Sequence, residues 1–194
     1  MGLVDRRLLY AGLLVAAGVG LVRAFRGPRI ERGKTRLLMI GDSLAEGLGP
    51  PLQSLARESN VEFARLSRGG TRIDQWAGSR VLAEKIETFK PTMILVSLGT
   101  NDEYMSGGSV PERQAPYLER LLTRLQSQNA EVVWIGPPRL PRATQGVVAL
   151  IRKTIPSSHY FASDRLTIPR GPDGLHPTVR GYAGWAGAIW RWLG

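Results

Sequence analysis

After residue 35 the chain alternates apolar runs with amphipathic stretches, and most of the runs stop at small polar residues. This pattern constrains the fold more than any other feature, because it is the signature of parallel strands separated by helices. The runs predict strands over Arg36–Ile40, Val61–Leu66, Met93–Leu98 and Glu131–Ile135, with a weaker fifth near His159–Ala162. Met93–Leu98 is apolar almost throughout, as a strand buried on both faces must be. Pro50 and Pro51 suit a helix start, with Leu52, Leu55 and Ala56 at helical spacing behind them. Further helices are predicted over 79–89, 112–128, 143–154 and 178–193, the last carrying Trp185, Ile189 and Trp192 on one core-facing stripe. Residues 163–177, rich in Pro and Gly, read as a loop. The expected architecture is α/β: a three-layer α/β/α sandwich around a five-stranded parallel sheet.

A chain of 194 residues, 43% hydrophobic, has room for one domain with a single sizeable core. The absence of cysteine excludes a disulfide framework, a thiolate nucleophile and any metal site built on Cys ligands. Only His159 and His176 supply imidazole, and Pro177 places the second in a turn, so no metal centre is expected. The net charge of +10 is unevenly spread: residues 1–36 hold eight Arg or Lys against Asp5 and Glu31, which leaves +4 for residues 37–194. Without a cluster of basic and aromatic residues, that mild excess does not suggest a nucleic-acid partner.

Residues 1–35 read as a separate unit ahead of a folded domain spanning 36–194. Leu8–Val22 is a run of fifteen uncharged residues between Arg6-Arg7 and Arg23, Arg26 and Arg29. As a helix it would extend about 22 Å, short of the roughly 30 Å hydrocarbon core unless Leu3, Val4 and snorkelling arginines lengthen it. Val22-Arg23-Ala24 is a poor cleavage site, so an uncleaved membrane anchor is favoured over a signal peptide. The domain is then membrane-associated or exported; arginines on both sides leave its orientation open. Residues 26–35 read as a polar linker.

Three strand ends carry polar motifs, and ligands of open parallel sheets gather outside the carboxyl ends of the strands. Ser43 follows Gly41-Asp42 at the end of the first strand, where a serine hydroxyl can stand beside backbone N–H groups at a helix start. A serine is a weak nucleophile and needs a base, which His176 in Asp173-Gly174-Leu175-His176-Pro177 can provide. Asp173, three residues earlier, can orient the ring and stabilise the imidazolium. Asp42 and Asp102 read as turn and capping residues.

The order of these blocks resembles that of the SGNH/GDSL hydrolases. Gly41-Asp42-Ser43-Leu44 is similar to the family's nucleophile block, Gly70 in Arg68-Gly69-Gly70-Thr71 to its glycine block, Gly99-Thr100-Asn101-Asp102 to its asparagine block, and Asp173 to Pro177 to its Asp-x-x-His block. The resemblance covers residues 36–194 and implies a flavodoxin-like strand order and a serine hydrolase that cleaves an acyl ester through an acyl-enzyme. It further implies Ser43, His176 and Asp173 as the catalytic residues, an oxyanion hole built from the Ser43 and Gly70 amides and the Asn101 side chain, and no cofactor. Gly69 competes with Gly70 for its position. The substrate would be a small-molecule, glycan or lipid ester; an acyltransferase of the same fold and a non-catalytic binding module are the alternatives. Arg68 and Arg72 bracket Gly70 and are candidates for binding an anionic substrate, against the simpler reading of solvated surface arginines.

Overall fold

The computed structural model describes residues 27–194 apart from Gln128 and Ala143. The apolar run Leu8–Val22 lies outside the described residues, and among the described residues no helix is long and apolar enough to cross a membrane.

Five parallel strands form one sheet in the order β2-β1-β3-β4-β5: β1 Arg36–Gly41, β2 Glu62–Ser67, β3 Met93–Ser97, β4 Glu131–Ile135 and β5 Tyr160–Phe161. The helices between them are α1 Ser43–Glu58, α2 Ile73–Ala77, α3 Arg80–Phe89, α4 Val110–Gln126, α5 Val147–Thr154 and α6 Val179–Leu193. Alternate residues of β1 and β3 serve two separate cores. Leu37, Met39, Met93 and Leu95 pack with α1 and α6, while Leu38, Ile40, Ile94 and Val96 face the helices of the other layer. Burial of both faces explains why these strands are apolar at successive positions instead of alternating.

Beyond β1 the chain adds β2 on one side and β3 on the other, so the winding reverses between β1 and β3. The crevice above that reversal is where such sheets bind ligands, and both Ser43 and Asn101 stand there, each just past a strand end.

Several boundaries differ from the expectation, each for a physical reason. Helix α1 begins at Ser43, not at the prolines, because the Asp42 carboxylate caps it by accepting from the Leu44 N–H at 2.9 Å. Pro50 and Pro51 sit inside the helix. Pro50 cannot donate to the Glu46 carbonyl, and that carbonyl instead accepts from Arg65 Nη1 at 2.6 Å. The Arg65 side chain also lies over Gly49. The short α2 carries no periodic signal long enough to read. Residues 27–35 are not a free linker, since Ile30 N–H donates to Leu193 O and Gly33 N–H to Asn60 O, both at 2.8 Å. Of the two tryptophans assigned to the core, Trp185 is buried and donates to Ser163 Oγ at 2.8 Å, whereas Trp192 is half-buried, edge-on to Phe161.

Candidate active site

The turn that presents Ser43 depends on close approach of two strands. A Cβ on Gly41 would sit 2.1 Å from the Ser97 carbonyl oxygen, so only glycine lets the end of β1 come this near β3. The Asp42 N–H then donates to Ser97 O at 3.1 Å, and Ser43 begins α1 with its own N–H at the helix N-terminus.

His176 Nε2 lies 2.8 Å from Ser43 Oγ, and His176 Nδ1 lies 2.5 Å from Asp173 Oδ2. An ionised carboxylate only accepts hydrogen bonds, so Nδ1 carries the ring proton and Nε2 accepts from the Ser43 hydroxyl. The other carboxylate oxygen, Oδ1, accepts from the Leu175 and His176 N–H groups at 3.0 and 2.9 Å. Hydrogen bonds from the His176 ring and from these backbone groups lower the Asp173 pKa to about 2, which keeps it ionised. The loop is braced from outside. Gly171 N–H donates to His176 O at 2.8 Å, and the Arg170 guanidinium reaches Leu175 O and Arg139 O, each at 2.5 Å.

Glycines 69 and 70 differ in what their amides do. Gly69 N–H donates to Glu46 Oε1 at 3.0 Å, while neither Gly70 N–H nor Ser43 N–H has a protein acceptor among the described residues. Gly70 has φ +73°, the left-handed region that favours glycine. Asn101 Nδ2 donates to Thr71 O at 2.9 Å and, at the longer distance of 3.3 Å, to Asp42 Oδ2. Its second N–H is the weaker bond and the one available to a ligand oxygen.

Two carboxyls lie buried beneath this surface. Burial pushes Asp42 up to about 7, opposed by the Leu44 N–H, and pushes Asp102 up to about 6, opposed by the Ile73 N–H at 3.2 Å. The two candidate substrate arginines part company. Arg68 is exposed, but Arg72 is half-buried and pairs with Asp74 Oδ2 at 3.2 Å, so its charge is already neutralised within the protein. His159 lies far from Ser43, at the amino end of β5, where its ring nitrogens face Ser158 Oγ at 2.9 Å and Glu131 Oε1 at 3.2 Å. A groove of about 840 Å³ at the start of β1 and β2, lined by Lys34, Arg57 and Asn60 among others, touches none of the site residues.

The sequence model of the GDSL-like Lipase/Acylhydrolase family matches residues 39–183. The chain belongs to that family. It is accordingly a serine hydrolase acting on esters. No curated protein matches this acylhydrolase in sequence. Among solved structures it is similar to LAE5, an alpha/beta hydrolase enzyme from the metagenome of Lake Arreo, at 16% identity and TM-score 0.66, covering 84% of this chain and 96% of that one. It is similar to the lipase/acylhydrolase from Enterococcus faecalis at 18% identity and TM-score 0.62, covering 80% and 94% of the two chains. It also resembles the psychrotrophic esterase EstA from Pseudoalteromonas sp. at 20% identity and TM-score 0.58, covering 81% and 99%. At these identities the likeness establishes the shared fold.

Three residues that brace the acylhydrolase site were missed in the sequence. Glu46 lies three positions after Ser43, a helical spacing that could have drawn attention to it. Glu103 follows Asn101-Asp102 and is buried, accepting from the Gly146 and Val148 N–H groups at 2.8 and 2.6 Å and from Gln145 N–H. It thereby anchors the start of α5. Arg170 drew no reading, because a lone arginine in a loop does not show that it braces Leu175 O five positions on and Arg139 O 31 positions back.

Proposed function

We propose that the protein hydrolyses an O-acyl ester, acetyl or another acyl group on a glycan or lipid, through an acyl-enzyme on Ser43. The observation that carries this reading is the continuous hydrogen-bonded line from Ser43 Oγ through His176 to Asp173. Ser43 Oγ attacks the ester carbonyl carbon while His176 Nε2 takes its proton. The developing oxyanion is met by the Ser43 and Gly70 N–H groups and by Asn101 Nδ2, which turns from Asp42 to reach it. Collapse expels the alcohol, protonated by His176; water, deprotonated by the same imidazole, then attacks the acyl-enzyme and releases the acid. Asp173 stays ionised and balances the imidazolium in both halves.

The reading is supported by similar folds, which include the Pseudoalteromonas esterase in a form inhibited by monoethylphosphonate and an acetyl xylan esterase. The test is labelling by a fluorophosphonate together with turnover of a chromogenic acetate ester. Ser43→Ala should abolish both, and labelling at any other residue would remove Ser43 from the reaction. Of the two bracketing arginines, Arg68 is exposed and without an ion pair among the described residues, so it is the one that could meet an anionic substrate, and we propose the run Leu8–Val22 as a membrane attachment.

A further inference from the structure

The end of the domain opposite Ser43 is basic, and the chain enters the fold there. All five parallel strands begin at this pole, and α1 and α6 both end at it. The entering segment is tied to both helix ends, through Ile30 N–H to Leu193 O and Gly33 N–H to Asn60 O. Arg29, Arg32, Arg57 and Arg191 are exposed on these segments and make no ion pair among the described residues. Of the acidic side chains there, Glu31 pairs with Lys34 at 3.2 Å and Glu62 with Arg36 at 2.8 Å. Glu58 is left to oppose the four arginines. Between Lys34 and Arg57 runs the groove of about 840 Å³, where Gln53, Ser54 and Asn60 add hydrogen-bonding groups. Trp190 and Trp192, near the end of α6, are half-buried; indole rings placed so at a surface suit the boundary between protein and lipid headgroups.

The apolar run Leu8–Val22 stops five residues short of Gly27, a stretch that contains Arg23 and Arg26 and reaches about 18 Å at full extension. Whatever holds the run therefore holds this pole close to it. We infer that the basic pole rests on anionic lipid headgroups and that Ser43 faces away from the bilayer. This rests on the reading of Leu8–Val22 as a membrane attachment. Guanidinium groups match the oxygens of headgroup phosphates, and a charged leaflet offers such partners to all four arginines at once. The orientation also bears on the substrate. Helix α1 runs from Ser43 to Glu58, about 22 Å at 1.5 Å per residue, so the nucleophile stands that far from the basic pole. Esters of the supporting bilayer are out of its reach, and the acyl carrier meets Ser43 from the aqueous side.

The chain contains no cysteine, so full-length protein can carry a single fluorophore at either end of α6, through Gly194→Cys at the basic pole or Val179→Cys beside the His176 loop. Both positions are exposed. Each labelled protein is reconstituted in vesicles of phosphatidylcholine with phosphatidylglycerol, and in phosphatidylcholine alone, with a nitroxide on some headgroups as a contact quencher. The label at position 194 should be quenched strongly and the label at 179 little, and this contrast should require phosphatidylglycerol. One basic residue at an anionic surface is worth about fivefold in binding, so Arg29→Gln, Arg57→Gln and Arg191→Gln together should weaken docking about a hundredfold and remove the contrast. Salt at about 1 M, which shortens the Debye length to about 3 Å, should do the same. Turnover of p-nitrophenyl acetate by the triple variant should match the wild type, which shows that it is folded. Equal quenching at the two positions, stronger quenching at 179, or a contrast indifferent to lipid charge overturns the inference while the attachment stands. Protein that floats with neither kind of vesicle removes the attachment and this inference together.

Discussion

Replacing Asn101 by alanine tests the oxyanion hole and the hydrogen-bond network beneath it in one protein. The side chain has two tasks that fail separately. As donor to the oxyanion it should stabilise the transition state by about 3 kcal/mol, so kcat for p-nitrophenyl acetate should fall by roughly 10²-fold. As donor to Thr71 O at 2.9 Å and to Asp42 Oδ2 at 3.3 Å, it also satisfies two acceptors, one on a residue with no exposed surface. Losing the first bond costs about 1 kcal/mol, and leaving a buried carboxyl oxygen unpartnered adds about 1–2 kcal/mol. A domain of this size loses roughly 2–4 °C of Tm per kcal/mol, so the variant should melt roughly 5–10 °C lower. Steady-state kinetics at 25 °C, well below either transition, separates the catalytic loss from unfolding, and calorimetry reads the second. An unchanged kcat would remove Asn101 from the chemistry. A hundredfold loss of kcat with an unchanged Tm would instead refute the accounting of its ground-state hydrogen bonds.

The remaining expectations concern pH, a buried cap and attachment. Asp42 and Asp102 have folded pKa values near 7 and 6, above the ordinary 3.8, so the folded state binds protons that the unfolded state has released; stability from these groups is complete below about pH 4 and is lost as pH rises to about 7. Asp173, lowered to about 2, has the opposite sign, losing its contribution only as pH falls from about 4 to 2, so Tm should decline between pH 5 and 8, and a rise across that window would refute the burial argument. Glu103→Ala strips three backbone N–H groups at the start of α5 of their acceptor and should lower stability by about 3 kcal/mol in urea titration; a loss under 1 kcal/mol would mean that water replaces the carboxylate. Full-length protein that retains residue 1 should sediment with membranes and require detergent for release, and its recovery in the soluble fraction would end the anchor proposal.

How much of this was legible follows from the range of each signal. Periodicity at β1, β3 and β4 revealed buried strands because each is shaped by its own residues. The Asp-x-x-His spacing likewise carried its meaning locally: Asp173 accepts from N–H groups two and three residues later as well as from the imidazole. The start of α1 was misread because Pro50 and Pro51 are strong local signals, and what overrides them is Arg65, which takes the freed carbonyl from 19 positions away. Arg72 looked as free as Arg68, although its partner Asp74 is only two residues on, because sequence does not fix which way a side chain turns.

By itself, then, the sequence determined the alternation of strands and helices, the two separately buried faces of the sheet, and the order of the Ser43, Gly70, Asn101 and His176 blocks, all of which arise from contacts within a few residues. Only the tertiary structure decided what those blocks do to one another. Ser43 and His176 are 133 positions apart, and Asn101 and Asp42 are 59 apart. Asp42 and Asn101 meet because β1 and β3 are neighbours in the sheet, and Ser43 and His176 because α6, just after His176, packs against α1. Burial of Asp42 and Asp102 belongs to the same level, since a carboxyl's pKa is set by the water and the charges left around it after the chain has closed over it.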